Sequence, residues 1–198
     1  KSTQARLLAE TLTAKGHSVY LTKNPGDTRL GQGLRQLLLH TDNLIHARAE
    51  MLLYVADRTQ HWFERILPSL QNGQIVICDR YIDSTLAYQG YGRGESVGWI
   101  LDLHQQALNS PYRSYWPDIT LWQDAPVDIC LTRLAQRSES KDRLENEPEA
   151  FYERIRQGFQ ALHQQYPTRI FRVDASGSAQ AIAQTMASTT LPLLVAPH

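Results

Sequence analysis

An α/β fold with a parallel sheet wound on both faces is the architecture this sequence predicts, and three observations carry it. Short strand-like apolar runs alternate with helical patterns from end to end, and such alternation joins parallel strands through crossover helices. One run, Gln74-Ile75-Val76-Ile77-Cys78, is β-branched and apolar, the pattern of a strand buried on both faces. The third is size. The chain has 198 residues, of which 42% are hydrophobic and 20% charged, enough for one compact domain with a substantial core.

Thr3 to Lys15 reads as a helix, with Ala5, Leu8 and Leu12 on one stripe and Gly16 as its stop. Ser18 to Leu21 is a short strand, and Lys23-Asn24-Pro25-Gly26-Asp27-Thr28 is a loop. A helix covers Leu30 to Leu39, and a long helical stretch runs from about Asn43 to Leu70, closed by Pro68 and Asn72-Gly73. After the Ile75–Cys78 strand come a helix over Trp99 to Leu108, a buried strand over Asp118 to Trp122 and a helix over Val127 to Arg137. Ser138 to Asn146 is charged and rich in breakers. A long amphipathic helix, Glu147 to Gln165, leads to a strand at Ile170 to Val173 and a last helix at Ala179 to Ala187. Ligands of such folds sit at the carboxyl ends of the strands, here just after Leu21, Cys78, Trp122 and Val173.

Composition removes several function classes. Twenty basic and twenty acidic side chains balance to zero net charge, which argues against a general nucleic-acid or anionic-membrane binder. The longest apolar run, Leu191 to Pro197, is far too short to span a bilayer. Cys78 and Cys130 lack C-x-x-C spacing, so neither a disulfide framework nor a zinc site is indicated, and a reducing cytoplasm is the expected compartment. Arg outnumbers Lys sixteen to four. Arg is the side chain suited to forked contacts with phosphate and carboxylate.

Lys1-Ser2-Thr3 at the head of a helix matches the tail of a phosphate-binding G-x-x-x-x-G-K-[ST] loop, although read alone it is equally a helix cap. Asp79-Arg80-Tyr81 follows a buried strand directly. An acid there can order Mg²⁺ and an Arg can fork a phosphate, or the two form a structural ion pair. Ser84, Tyr88 and Gln89 fall on one helical side, offering a hydroxyl, a phenol and an amide to a sugar and a base edge. The run D-R-Y-x-x-S-x-x-A-Y-Q-G from Asp79 to Gly90 resembles the nucleotide-site signature of bacterial thymidylate kinases.

Further motifs extend that resemblance over essentially the whole chain. Thr22 to Thr28 resembles the family's T-R-E-P-G-G-T loop, and Leu34-Arg35-Gln36-Leu37-Leu38-Leu39 its L-R-x-L-L-L. Tyr54 and Arg58 match an aromatic-x-x-x-Arg pair, which shares one helical face at that spacing. Pro117-Asp118-Ile119-Thr120 resembles P-D-[LI]-T, and Arg137 with Asp142-Arg143-Leu144-Glu145 resembles a basic lid at about 137–146. Two departures stand out. Asn24 replaces the acid of T-R-E-P, which would either weaken any role of that acid or shift it to Asp27, and Tyr54 replaces the commoner Phe.

The resemblance implies a P-loop nucleoside monophosphate kinase fold that transfers the γ-phosphoryl of ATP to dTMP. It implies that Lys1, Ser2 and Thr3 hold the ATP phosphates, with Ser2 and Asp79 serving Mg²⁺. Arg35 and Arg80 would grip the dTMP phosphate. Arg137 and Arg143 would close from the lid onto the transferring group and the ATP phosphates. Pro25 and Ser84 would line the substrate site, Tyr54 would stack on thymine and Arg58 would bond its O4. Thr85 or Gln89 would read N3, and Tyr88 would lie beneath C2′ and disfavour a ribonucleotide. It further implies a homodimer through the long helices after Asn43, with no nucleic-acid or membrane partner. Because the family places a strand before its phosphate loop in mid-sheet, the expectation is a longer gene product, with weak ATP binding by a chain starting at Lys1. Two alternatives remain open: another P-loop deoxynucleotide or nucleoside kinase, or a non-catalytic nucleotide-binding remnant.

Overall fold

The computed structural model describes residues 2–40, 44–136 and 142–194. Four strands, β1 (Val19–Lys23), β2 (Ile75–Asp79), β3 (Thr120–Asp124) and β4 (Ile170–Asp174), form two parallel pairs among the described residues. β1 pairs with β2 in the register Val19↔Ile75 to Lys23↔Asp79, and β3 with β4 from Thr120↔Ile170 to Asp124↔Asp174. Each strand runs one or two residues beyond the end read from sequence, so each finishes on a polar residue. The α/β class and the parallel order are as predicted. Burial of β2 on both faces is not: its five residues are all only partly buried, because β2 and β3 both border a cleft of about 1210 Å³.

Helix α1 (Ser2–Ala14) buries Ala5, Leu8, Ala9 and Leu12 against the carboxyl-terminal helix and both strand pairs. Thr28 caps α2 (Arg29–Leu39), its hydroxyl accepting from Gly31 N–H at 2.9 Å. The long helix begins as α3 (Ala47–His61), passes through a π-helical turn at Trp62–Ile66 and continues as α4 (Leu67–Gln71). Its sequence-predicted start, Asn43, lies outside the described residues. Pro68 falls directly after the π turn, in the first residues assigned to α4, and the helix stops three residues later.

After β2, α5 (Ile82–Thr85) opens into a second π-helical segment, Leu86–Gly92. π segments are rare and concentrate at functional sites. α6 (Val97–Leu108) is capped by Ser96, which accepts from Trp99 N–H. α7 (Val127–Ala135) follows β3, α8 (Glu149–Gln165) precedes β4, and α9 (Ala179–Leu194) closes the described chain. α9 continues seven residues past its predicted end, carrying Pro192 within it; Thr190 is buried there and Leu191 and Leu194 pack on the core. Helix α8 packs on the Leu86–Gly92 segment through an exchange of glycines for rings. A Cβ at Gly158 would sit 2.7 Å from the Tyr91 ring, and one at Gly92 would sit 2.8 Å from the Phe151 ring. Among the described residues no helix is long and apolar enough to cross a membrane.

Candidate nucleotide site

The cleft runs along α1, β2 and β3, and at one end it is walled by Lys23 to Pro25, the end of β2, Tyr54 and Arg58 of α3 and residues of the Arg80–Gln89 segment. On α3, Glu50, Tyr54, Asp57, Arg58 and His61 recur at helical spacing and fall within one narrow stripe. All five are buried. A stripe of that kind is ordinarily apolar, so four polar side chains on it must find partners on the elements packed against them.

They do so around Arg58, which is only 1% exposed. Its Nη1 donates to Thr85 Oγ1 at 2.6 Å and to His104 Nε2 at 3.0 Å, and its Nη2 donates to Asn24 Oδ1 at 2.7 Å. Arg58 Nε has no hydrogen-bond partner among the described residues. His104 Nδ1 lies 2.7 Å from Ile100 O, so Nδ1 carries the proton and Nε2 is free to accept. Burial, with the adjacent Arg58 cation, pushes His104 down to about 3 and keeps it neutral.

The other half of the network closes on the Lys23–Thr28 loop. Asn24 N–H donates to Asp79 O at 3.0 Å, which ties the loop to the end of β2. Asn24 Nδ2 donates to Asp57 Oδ2, and Gly26 N–H donates to Asp57 Oδ1 at 3.1 Å. Asp57 is nonetheless raised from its ordinary value, chiefly by burial. His61 Nε2 lies 2.7 Å from Thr22 Oγ1, and burial lowers the imidazole to about 4. The carboxylate that meets Asn24 is therefore Asp57 on α3. Asp27, expected to inherit the role of the missing acid, instead accepts from Tyr20 Oη at 2.5 Å. Arg35 donates to Pro25 O at 3.1 Å, and Gly26, at φ 110°, leaves room for the Arg35 stem. A Cβ there would lie 2.8 Å from Arg35 Cδ.

At the end of β2, Asp79 accepts from Ser2 Oγ at 2.6 Å, so the two predicted metal residues meet. Thr3 is exposed in the first turn of α1. Arg80 adopts φ 73°, a left-handed backbone that costs a non-glycine residue energy and that clusters at functional sites. That twist carries its guanidinium over the Tyr88 ring, 4.8 Å from the centroid. Burial opposes the charge on Arg80, but the Tyr88 hydroxyl and Asp79 outweigh it and raise its pKa. Pro25, Arg35, Tyr54, Arg58, Arg80, Ser84, Thr85, Tyr88 and Gln89 all line the one cleft.

Arg143, expected to serve the transferring phosphate, is held against α2 and α3. Its Nε donates to Leu38 O at 2.9 Å, its N–H to Leu39 O at 3.1 Å, and its Nη2 pairs with Glu50. Glu50, wholly buried, is the acceptor that draws it there. Glu50 also receives Gln89 Nε2 at 2.9 Å and Arg93 at 3.3 Å. Burial pushes this carboxyl up, but the donors from Gln89, Arg143 and Arg93 outweigh burial and hold it below its ordinary value. Lys1 and Arg137 lie outside the described residues, as does the first half of the expected lid, 137–141. Sequence reading missed Glu50, Asp57, His61 and His104. For the first three the signal was present: polar residues at helical spacing in register with Tyr54 and Arg58.

The family model described as "Thymidylate kinase" matches residues 1–186. The chain is 45% identical over 196 residues to a thymidylate kinase of Synechococcus sp. (strain JA-3-3Ab), covering 99% of this chain and 92% of that protein. It is 50% identical over 166 residues to one from Thermosynechococcus vestitus, covering 84% and 67%. Among solved structures, the thymidylate kinase of Ehrlichia chaffeensis superposes with a TM-score of 0.74 at 31% identity, covering 96% of this chain and 91% of the other.

Proposed function

This chain belongs to the thymidylate kinase family and phosphorylates dTMP to dTDP with ATP, and we propose that the cleft between α3 and the Arg80–Gln89 segment is where it reads and holds dTMP. The observation that supports this most is the convergence on one cleft of a ring, Tyr54, two phosphate-capable cations, Arg35 and Arg80, and a fixed polar set, Arg58, Thr85 and Gln89.

In this reading Tyr54 stacks on the base, which its burial and flat face favour. Arg58 is anchored by Asn24, Thr85 and His104 and presents its fork to O4. Gln89 accepts N3–H, because its Nε2 is already given to Glu50. Tyr88 lies beneath C2′. Pro25 and Ser84 complete the wall. Arg35 and Arg80 hold the dTMP phosphate, one oxygen of which attacks the γ-phosphorus of ATP while the bond to the β,γ-bridging oxygen breaks and ADP leaves. That oxygen is largely ionised at neutral pH, so no general base is needed. Positioning and charge neutralisation carry the rate.

Lys1, with Ser2 and Thr3 at the head of α1, would hold the ATP phosphates, and Arg137 would meet the transferring group. Arg143, tied to Glu50, anchors the lid's other end. A divalent cation fits the pair Ser2 and Asp79, two hard oxygen donors already 2.6 Å apart and suited to Mg²⁺. When bound, Mg²⁺ would neutralise charge on the phosphates. A homodimer is proposed on the apolar side chains exposed along α2, α3 and the π turn, namely Leu30, Leu37, Leu52 and Phe63. Cytoplasmic residence is supported by the free thiols Cys78 and Cys130. Assays of the intact gene product with ATP and dTMP, dUMP, dCMP or thymidine test the reading: dTMP is the preferred acceptor, and equal turnover of dCMP would overturn it.

A further inference from the structure

We propose that Glu50 is a specificity-determining positioning residue, which sets which end of the Gln89 amide faces the base. The inference rests on the reading above, in which Gln89 addresses N3 of the pyrimidine.

A Gln amide has a donor end and an acceptor end of nearly the same shape, so nothing in its own chemistry fixes which points where. Here the choice is made from behind. Ionised, Glu50 has no hydrogen to donate and can only accept, and cations on two sides keep it so. Arg93 donates to it through Nε and Nη2, each at 3.3 Å, and Arg143 pairs with its Oε2. Gln89 Nε2 donates to Oε1 at 2.9 Å, with both side chains buried. The reversed amide would set oxygen against a buried carboxylate, an unfavourable contact. Gln89 therefore offers its carbonyl Oε1 to the cleft it lines.

That end discriminates. Thymine N3 carries a hydrogen and is a donor, whereas cytosine N3 is an acceptor at the same place. An Oε1 facing N3 pairs with thymine and opposes cytosine. A site that leaves a buried polar group unpaired with the wrong substrate rejects it strongly. Glu50 never touches the substrate, yet it holds the sign of this contact.

Replacing Glu50 by Gln tests the idea with little change in shape. The Oε2 position faces two cations, Arg143 and Arg93 Nη2, whereas Oε1 faces Gln89 and the longer contact from Arg93 Nε, so the single oxygen of the substituted amide stays at Oε2. The new NH₂ then lands beside Gln89, whose amide must turn its oxygen back and its Nε2 toward the base. In E50Q the ratio of kcat/KM for dTMP over dCMP is expected to fall by about tenfold, the worth of one buried hydrogen bond. KM for dTMP rises, KM for ATP does not, and kcat changes less. E50D keeps the charge for Arg93 and Arg143 but withdraws it from Gln89, so it lowers the same ratio and gives a readable result should E50Q fail to fold. Q89A is measured alongside, and in E50Q/Q89A the ratio should not drop below that of Q89A alone. If Q89A leaves KM for dTMP and the ratio unchanged, the reading of Gln89 as base contact falls, and the inference with it. If Q89A lowers the ratio while folded E50Q and E50D keep it, or the double variant is additive, Glu50 is structural only and the inference alone is overturned.

Discussion

Asn24 accepts a hydrogen bond from Arg58 at 2.7 Å while its own amide nitrogen donates to Asp57. One neutral side chain thus joins a buried cation to a buried anion from opposite ends. The carboxylate that this loop lacks at position 24 is supplied from α3, one residue before the Arg it serves. Removing the amide leaves both charges short of a partner. Asn24→Ala should lower unfolding free energy by about 2–3 kcal/mol, read from chemical denaturation. Stability within about 0.5 kcal/mol of the parent, the range of a bland surface change, would show that the Asn24 bridge carries little weight.

Arg58→Ala should raise KM for dTMP by about 10- to 100-fold, the worth of a hydrogen bond to a charged group, with a smaller change in KM for ATP. Arg58→Lys should recover little of it, since a point ammonium cannot meet Asn24, Thr85 and His104 together. Steady-state kinetics with each substrate varied decide it. Unchanged discrimination against dCMP in Arg58→Ala would remove Arg58 from base reading.

The α/β class, the strand-helix order and the polar residues gathered at one end of the cleft were legible in the sequence because each had a local signature. Ile75-Val76-Ile77-Cys78 announced a strand, and the Asp79–Gly90 motif carried Arg80, Thr85, Tyr88 and Gln89 into the site together. What was hidden depended on distant partners. Nothing local shows that Glu50 meets Gln89, Arg93 and Arg143, or that His104 on α6 accepts from Arg58. Arg143 was read as a lid cation from its motif alone, and the buried Glu50 with which it pairs lies 93 residues away. The half-exposure of β2 was likewise hidden, since burial of a strand depends on what stands beside it.

Acid should weaken the fold from near neutrality, earlier than carboxylate titration alone would do. His61 and His104 are held neutral, at about 4 and about 3, against an ordinary 6.5 in the unfolded chain. The unfolded state binds more protons between those limits, so stability is full above about 6.5 and falls as pH drops. Glu50 and Asp124, both lowered, add losses only below the usual carboxylate range. Asp57, raised, works the other way at the acid end. From about pH 7.5 to about pH 5.5 the two histidines together cost roughly 2–3 kcal/mol, a fall in Tm of about 5–10 °C. His104→Gln should flatten that slope. A Tm unchanged over the interval would mean that neither imidazole is held neutral.

Gly158→Ala tests the seam that holds α8 against the Leu86–Gly92 segment. The added methyl would lie 2.7 Å from the Tyr91 ring, and relief requires α8 or the π segment to shift. A loss of about 1–3 kcal/mol is expected, with KM for dTMP raised because Tyr88 and Gln89 sit on the displaced segment. A stabilised variant, as helix propensity alone would favour, would show that the seam has slack.

The central claim is that this cleft selects a thymine-bearing nucleoside monophosphate for phosphoryl transfer. It is tested most directly by initial rates of γ-phosphoryl transfer from ATP to dTMP and to dCMP, catalysed by the intact gene product. The account predicts dTDP formation with kcat/KM for dTMP about 100-fold or more above that for dCMP. Equal rates with the two nucleotides, or no dTDP at all, would contradict it.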